Sequence, residues 1–114
     1  MIPGTHDFRI RRGDTERVGA FLNLRDLRTQ EVVAADLTGS LVSWSFALPA
    51  GPLVKTSAAG GGLLVDLRYA FVRWELSADD SLALPVGSHP YTLKERTSDG
   101  RVSTYLTGRL IVLE

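Results

Sequence analysis

The residues that could support acid–base or metal chemistry are few and widely spaced in this sequence. The two histidines are His6, near the N-terminus, and His89, which precedes Pro90 at the start of a predicted strand, where we expect it to be exposed. A zinc site needs at least three converging ligands, so His89 would have to be joined by Asp79 and Asp80. Adjacent side chains point in different directions on a helix and on a strand alike. We therefore predict that one of these aspartates caps a helical turn and the other is exposed to solvent. We also predict that the chain has no metal site.

Motifs for nucleophilic catalysis and phosphate binding are also missing. The sequence contains no cysteine, which excludes a thiol nucleophile, a thiolate metal site and a disulfide framework. No Gly-x-Ser-x-Gly elbow occurs. The run Gly60-Gly61-Gly62 lacks the Gly-Lys-Ser/Thr ending of a phosphate-binding loop, and no helical pattern follows it. The sequence therefore predicts no catalytic residue, no cofactor and no enzymatic activity.

The charge pattern gives no sign of a nucleic-acid or membrane partner. Thirteen basic and thirteen acidic residues cancel, so no net field attracts polyanions or anionic lipid. A local cluster of Arg9, Arg11, Arg12 and Arg17 could contact phosphate, but a charged edge strand that limits aggregation is the favoured interpretation. No segment has the ~20 apolar residues of a membrane helix, and the N-terminus lacks the pattern of a signal peptide.

Apolar residues alternate with polar ones in short runs, separated by turn residues about every ten positions. This spacing is typical of short antiparallel strands in a sandwich or barrel. Ser77, with Asp80 three residues later, predicts one short helical turn. The predicted strands cover residues 8–11, 17–25, 42–48, 53–56, 63–76 (one long or interrupted strand), 91–96 and 101–113. We therefore predict a single all-β domain over residues 1–114, an immunoglobulin-like antiparallel sandwich of about seven strands with residues 1–6 frayed. A six- or eight-stranded barrel is the alternative.

Strand phase divides the aromatic residues into two groups. Trp44 and Trp74 share the apolar phase of their strands, which predicts packing between the two sheets. Four others fall on the opposite phase, namely Phe21, Tyr69, Phe71 and Tyr105. If the second strand pairs with the strand at 69–76, then Phe21, Tyr69 and Phe71 form a partner-docking surface. The alternatives are that Ile2 and Pro3 cover this surface, or that a bulge changes the strand phase.

The turn between the last two strands carries Asp99-Gly100, the strongest hairpin signal in the chain. Asp-Gly readily occupies the two positive-φ positions of a type I′ turn. The last strand is expected to place Val102, Leu106, Leu110 and Val112 on one face.

The order of turn motifs resembles that of a known family. These motifs are Arg11-Arg12-Gly13-Asp14-Thr15, Asp36-Leu37-Thr38-Gly39, the segment 84–91 from Leu-Pro-Val-Gly to Tyr, the Asp-Gly hairpin, and Gly108. Together they resemble small immunoglobulin-like proteins of tailed phages and prophages, including the N-terminal domain of phage baseplate upper proteins. Two features depart from the family pattern: the step from Gly87 to Tyr91 is two residues longer, and residues 26–35 lack the usual glycine.

The resemblance implies a non-catalytic structural protein of a tail or baseplate, found in the virion or in the host cytoplasm before assembly. Its partners would be other virion subunits or further copies of itself, with no cofactor. It also implies that Gly13, Gly39, Gly87 and Gly100 determine the fold. The alternative function is a free-standing immunoglobulin-like module that binds carbohydrate or a host surface.

Overall fold

The computed structural model describes residues 4–25 and 32–114, and it confirms the all-β prediction. Strands account for 60% and helix for 5% of these residues, arranged in a sandwich with one short helix. The strands are β1 (Gly4–Thr5), β2 (Phe8–Arg11), β3 (Glu16–Phe21), β4 (Asn23–Arg25), β5 (Val32–Ala34), β6 (Leu41–Leu48), β7 (Gly51–Thr56), β8 (Leu64–Asp66), β9 (Phe71–Leu76), β10 (Gly87–Arg96) and β11 (Val102–Leu113), with helix α1 (Ala78–Leu82) between β9 and β10.

Two main sheets face each other. The larger has the order β1-β11-β10-β6-β7, with β2 also paired to β11, and the smaller has the order β3-β9-β8. Strands β4 and β5 form a separate two-stranded sheet. This order is compatible with the two sheets of an immunoglobulin variable-type sandwich. The prediction of purely antiparallel pairing was wrong at one edge, because β1 and β2 both run parallel to β11.

The core lies between the two main sheets and follows the predicted alternation. Trp44 and Phe46 project from β6, and Val72 and Trp74 project from β9, each with at most 1% of its surface exposed. The ring centroids of Trp44 and Trp74 lie 6.4 Å apart in an edge-to-face arrangement. The predicted inward phase of both tryptophans is therefore confirmed.

The long run at 63–76 is two strands, β8 and β9, separated by a turn. Ala70, the last residue of this turn, has a φ of 51°, and it is the one described residue other than glycine with positive φ. Its side chain is fully buried. The run at 17–25 is likewise divided at Leu22, whose N–H donates to the carbonyl of Ala70 and whose carbonyl accepts from Ala35.

The N-terminal segment is paired, although residues 1–6 were expected to be frayed. Gly4–Thr5 lies beside Leu106–Thr107, and the N–H of His6 donates to the carbonyl of Thr107 at 3.0 Å. The hydroxyl of Tyr91 donates to the carbonyl of His6. Residues 1–3, which include Ile2 and Pro3, lie outside the described residues. The pairing was missed because its hydrogen bonds come from a strand a hundred residues away.

The turn between β10 and β11 is not of type I′. Gly100 has a φ of 91°, but Asp99 is not in the positive-φ region. The N–H of Gly100 donates to the carbonyl of Thr97 at 2.9 Å, and the N–H of Thr97 donates to the carbonyl of Arg101 at 2.8 Å. This pattern is a three-residue loop that ends in a glycine bulge.

A bulge in β11 reverses the predicted phase of its first half. Leu93 pairs with Leu106 and Lys94 pairs with Thr104, so Tyr105 has no directly opposite residue. Tyr105 therefore turns toward the core, whereas Val102 is 58% exposed. The predicted outward phase of Tyr105 and inward phase of Val102 were wrong, because residues before a bulge change face.

Candidate functional site

Two phenylalanine rings are in tilted contact on the outer face of the smaller sheet. Phe21 at the end of β3 lies directly opposite Phe71 at the start of β9, and their ring centroids are 4.7 Å apart. The pairing of β3 with β9 runs without a register shift, so no bulge changes the phase of either residue. Phe21 is 62% exposed and Phe71 is half-buried. Both residues therefore face solvent as predicted.

Gly19 explains why Phe71 is less exposed than Phe21. A Cβ atom built on Gly19 would lie 2.6 Å from the ring of Phe71, so this ring lies across the bare glycine backbone. An aromatic side chain that covers a glycine in a strand restores packing that the glycine itself lacks. Sequence reasoning did not include Gly19 in the site, although a glycine inside a strand signals a close approach by another group.

Tyr69 lies in the turn that leads into β9, at the same end of the sheet as the two phenylalanines. Its side chain is 54% exposed, and the guanidinium of Arg68 lies 5.8 Å from the centre of its ring. We refer to Phe21, Tyr69 and Phe71 as the aromatic patch. All three of these predicted site residues are accessible at this end of the sheet.

Charges of both signs lie on the same sheet as the aromatic patch. On the outer face, Arg17 and Glu75 form an ion pair at 3.3 Å, and both side chains are more than half exposed. Asp66 lies opposite Phe71, and Leu64, which is 60% exposed, lies opposite Arg73. Exposed ion pairs contribute little stability, so these charges add little to the stability of the fold.

The arginine cluster is largely engaged within the chain. Arg12 donates two hydrogen bonds, of 2.8 and 3.2 Å, to the carbonyl of Leu82 at the end of α1. Arg11 donates to the carbonyl of Glu114 at 3.3 Å. Together with the Arg17 ion pair, these contacts account for the cluster as part of the fold.

Of the two predictions made around the candidate metal ligands, the helical turn is confirmed and the exposure of His89 is wrong. Ser77 caps α1 by accepting a hydrogen bond from the N–H of Asp80 at 3.1 Å, which confirms the predicted helical turn. His89 was expected to be exposed, but it is 6% exposed, and its Nε2 lies 2.9 Å from the carbonyl of Pro85. Across residues 4–25 and 32–114, no three histidine, aspartate or glutamate residues lie close enough to hold a metal ion.

A buried carboxylate at one end of the sandwich was not predicted. Glu95 is 5% exposed, and its two oxygens accept hydrogen bonds from the hydroxyls of Ser40 at 2.7 Å and Tyr105 at 3.0 Å. Burial raises the pKa of Tyr105 to about 12, and the hydrogen bond to Glu95 and its charge add to this shift. The one signal in the sequence is that Glu95 continues the inward phase of Tyr91 and Leu93. Because both oxygens already have donors, we interpret this cluster as structural.

Comparison of the chain with protein-family models and with curated proteins found no match. In the described part of the chain, no helix is long and apolar enough to cross a membrane.

Proposed function

We propose that this protein is a non-catalytic assembly module that acts through protein–protein docking. The observation that carries the proposal is the exposed aromatic patch, above all the pair Phe21–Phe71, whose rings are in tilted contact on the outer sheet face. Soluble monomers rarely expose large contiguous apolar patches, and aromatic residues are enriched where partners bind.

The proposed setting is the tail or baseplate of a phage or prophage, and it rests on the resemblance in turn motifs. Gly13, Gly39, Gly87 and Gly100 all have positive φ, a conformation that favours glycine, and this supports their implied role in determining the fold. The partners would be other virion subunits or further copies of this chain, in the virion or in the host cytoplasm before assembly. Both tryptophans are buried, so an exposed tryptophan platform offers no support for the alternative of carbohydrate binding.

The test is to change Phe21 and Tyr69 together to serine. Phe71 is left in place, because its ring also covers Gly19 and contributes to folding. We expect the double variant to keep the thermal midpoint of the wild type, since both side chains are more than half exposed. It should lose self-association in sedimentation velocity, or lose incorporation into purified virions.

The matched control changes Val54 and Val102 to serine. These side chains are 47% and 58% exposed and lie on β7 and β11 of the larger sheet. The control should associate like the wild type. Wild-type association and incorporation by the Phe21→Ser/Tyr69→Ser variant would refute docking through the aromatic patch.

A further inference from the structure

Strand β3 is an edge of the smaller sheet, and its outward backbone groups can be identified. The N–H of Leu22 donates to the carbonyl of Ala70, in the same register that pairs β3 with β9. In an antiparallel ladder, alternate residues point their N–H and C=O groups toward the neighbouring strand. The even-numbered residues of β3 therefore bond to β9, and the outward groups belong to Arg17, Gly19 and Phe21. Among the described residues, these outward groups have no hydrogen-bond partner.

The other six-residue edge strand, β7, carries two features that discourage pairing with a strand of another molecule. The apolar half of β3, residues Val18–Phe21, carries neither feature. Pro52 removes one donor from β7, and Lys55 points inward, with its Nζ 5.8 Å from the ring centre of Trp74. Prolines and inward-pointing charges are common means of blocking an edge strand. Residues Val18–Phe21 of β3 contain no charge and no proline. Among the described residues, the apolar half of the β3 edge is therefore open to another strand.

We propose that β3 pairs with β3 of a second copy, antiparallel, about a two-fold axis at Gly19. This inference rests on the proposed function and names the partner at the aromatic patch. One antiparallel register matches the three outward residues with one another, since it places Arg17 opposite Phe21 of the second copy and Gly19 opposite Gly19. Each of the three resulting residue pairs exchanges two hydrogen bonds, so every outward group within the strand gains a partner.

Charge also favours this arrangement over a parallel one. A parallel pairing in register would place Arg17 beside Arg17 of the second copy, and like charges in directly opposite positions are destabilising. The antiparallel pairing instead places each guanidinium beside the exposed ring of Phe21, and a cation is attracted to an aromatic face. At the axis, the Phe71 rings that cover the two glycines become neighbours, so the aromatic patches of the two copies join.

The register is tested by disulfide cross-linking between two single variants, Arg17→Cys and Phe21→Cys. The natural chain has no cysteine, and both positions are more than half exposed. In the mixed dimer the two new thiols lie opposite each other, at a Cα separation of about 5.5 Å that suits a disulfide. The second Arg17–Phe21 contact of that dimer stays intact. We expect the mixture to form a covalent dimer under mild oxidation.

Each variant alone is the control. In the proposed register, position 17 of one copy lies four residues, roughly 13 Å, from position 17 of the other, so neither single variant should cross-link efficiently. Equal cross-linking in the mixture and in the single variants, or none in any sample, would overturn the proposed register.

The contribution of the backbone is tested by comparing Arg17→Pro with Arg17→Ser. Both variants remove the guanidinium, but only proline removes the outward N–H, and neither touches the ladder with β9. We expect the dimer dissociation constant from sedimentation equilibrium to be about tenfold higher for Arg17→Pro than for Arg17→Ser, because two symmetry-related hydrogen bonds are lost. Thermal melts of both variants show whether the monomer has kept its fold.

These experiments can refute strand pairing between two copies without refuting the proposed function. Equal dissociation constants for Arg17→Pro and Arg17→Ser, with association abolished by Phe21→Ser/Tyr69→Ser, would refute strand pairing and leave docking through the patch. A wild-type chain that stays monomeric at all concentrations would refute the second copy as partner, and virion incorporation would still test the proposed function.

Discussion

At the scale of single residues, four aromatic rings from strands β6, β9 and β10 meet in the core of the sandwich. Trp44, Phe46 and Tyr91 lie side by side on β6 and β10, with ring centroids between 5.7 and 6.0 Å apart. Trp74 closes the group from the other sheet, 5.1 Å from Phe46. Rings in tilted and edge-to-face contact gain energy beyond their buried area. These side chains therefore contribute to the contact between the two sheets.

Replacement of Trp44 with alanine should lower the free energy of unfolding by about 3–5 kcal/mol, because it leaves a large cavity between the sheets. Urea denaturation provides the measurement. The control is Val54→Ala, at a side chain that is 47% exposed, which should change stability by about 0.5 kcal/mol or less. A loss below about 1 kcal/mol for Trp44→Ala would be inconsistent with the core described above.

Tyr105 makes the stability of the fold sensitive to alkaline pH. Burial and Glu95 raise its pKa from 10.0 to about 12, so the folded state holds the phenolic proton more tightly than the unfolded state does. Stability from this group is present in full below pH 10 and is lost as the pH rises toward about 12. The variant Tyr105→Phe should show a shallower loss of the thermal midpoint between pH 10 and pH 12.

Glu95→Gln provides the companion measurement. This variant keeps an acceptor for the Tyr105 hydroxyl but removes the negative charge that helps to raise the pKa of Tyr105. We expect Glu95→Gln to be less stable than the wild type at neutral pH. Its stability should then decrease less steeply as the pH rises. An alkaline profile of Tyr105→Phe identical to that of the wild type would show that Tyr105 does not contribute. Tyr91, whose pKa is also raised by burial, contributes separately to the same profile.

At the scale of secondary-structure elements, the N-terminal strands depend on a close approach at Gly108. Both β1 and β2 pair with the same edge of β11, and between them a Cβ atom at Gly108 would lie 1.8 Å from the carbonyl oxygen of His6. Next to this contact, Asp7 accepts a hydrogen bond from the N–H of Arg109 at 3.0 Å. Only glycine allows this approach, so the edge of the larger sheet depends on it.

The variant Gly108→Ala should release the N-terminal segment while the core stays folded. We expect faster amide exchange at His6 and greater sensitivity of residues 4–7 to proteolysis, with a loss of about 1–3 kcal/mol in stability as the Tyr91 hydrogen bond is broken. The control is Gly4→Ala, where the added Cβ would meet Leu106 at 3.4 Å, an ordinary contact. Unchanged exchange at His6 in Gly108→Ala would contradict this close approach.

At the scale of the whole molecule, one buried cluster joins both main sheets. Residues from β2, β3, β6, β9, β10 and β11 all contribute to it. A domain with one core unfolds in a single cooperative step. We expect the transitions followed by tryptophan fluorescence and by far-ultraviolet circular dichroism to coincide in urea. A fluorescence change that clearly precedes the loss of β signal would show that the two sheets separate before they unfold.

The sequence by itself determined the local features of this protein. Period-two alternation was sufficient to predict an all-β sandwich, the inward phase of Trp44 and Trp74, and the outward phase of Phe21 and Phe71. Ser77 and Asp80 were sufficient to predict α1. These features could be predicted because each depends on residues within one strand or one turn, where the alternation of side chains and the hydrogen bonds of a cap are local.

Only the tertiary structure decided the features that depend on contacts between distant segments. The pairing of β1 with β11, the burial of His89 and the bulge at Tyr105 each depend on a partner that no local pattern identifies. The same is true of Gly19, which belongs to the aromatic patch because Phe71 of the neighbouring strand lies across it. The physical reason is that register and edge order are set by the total packing and hydrogen bonding of the assembled sheets, whereas alternation within a strand reports only which side chains face the core.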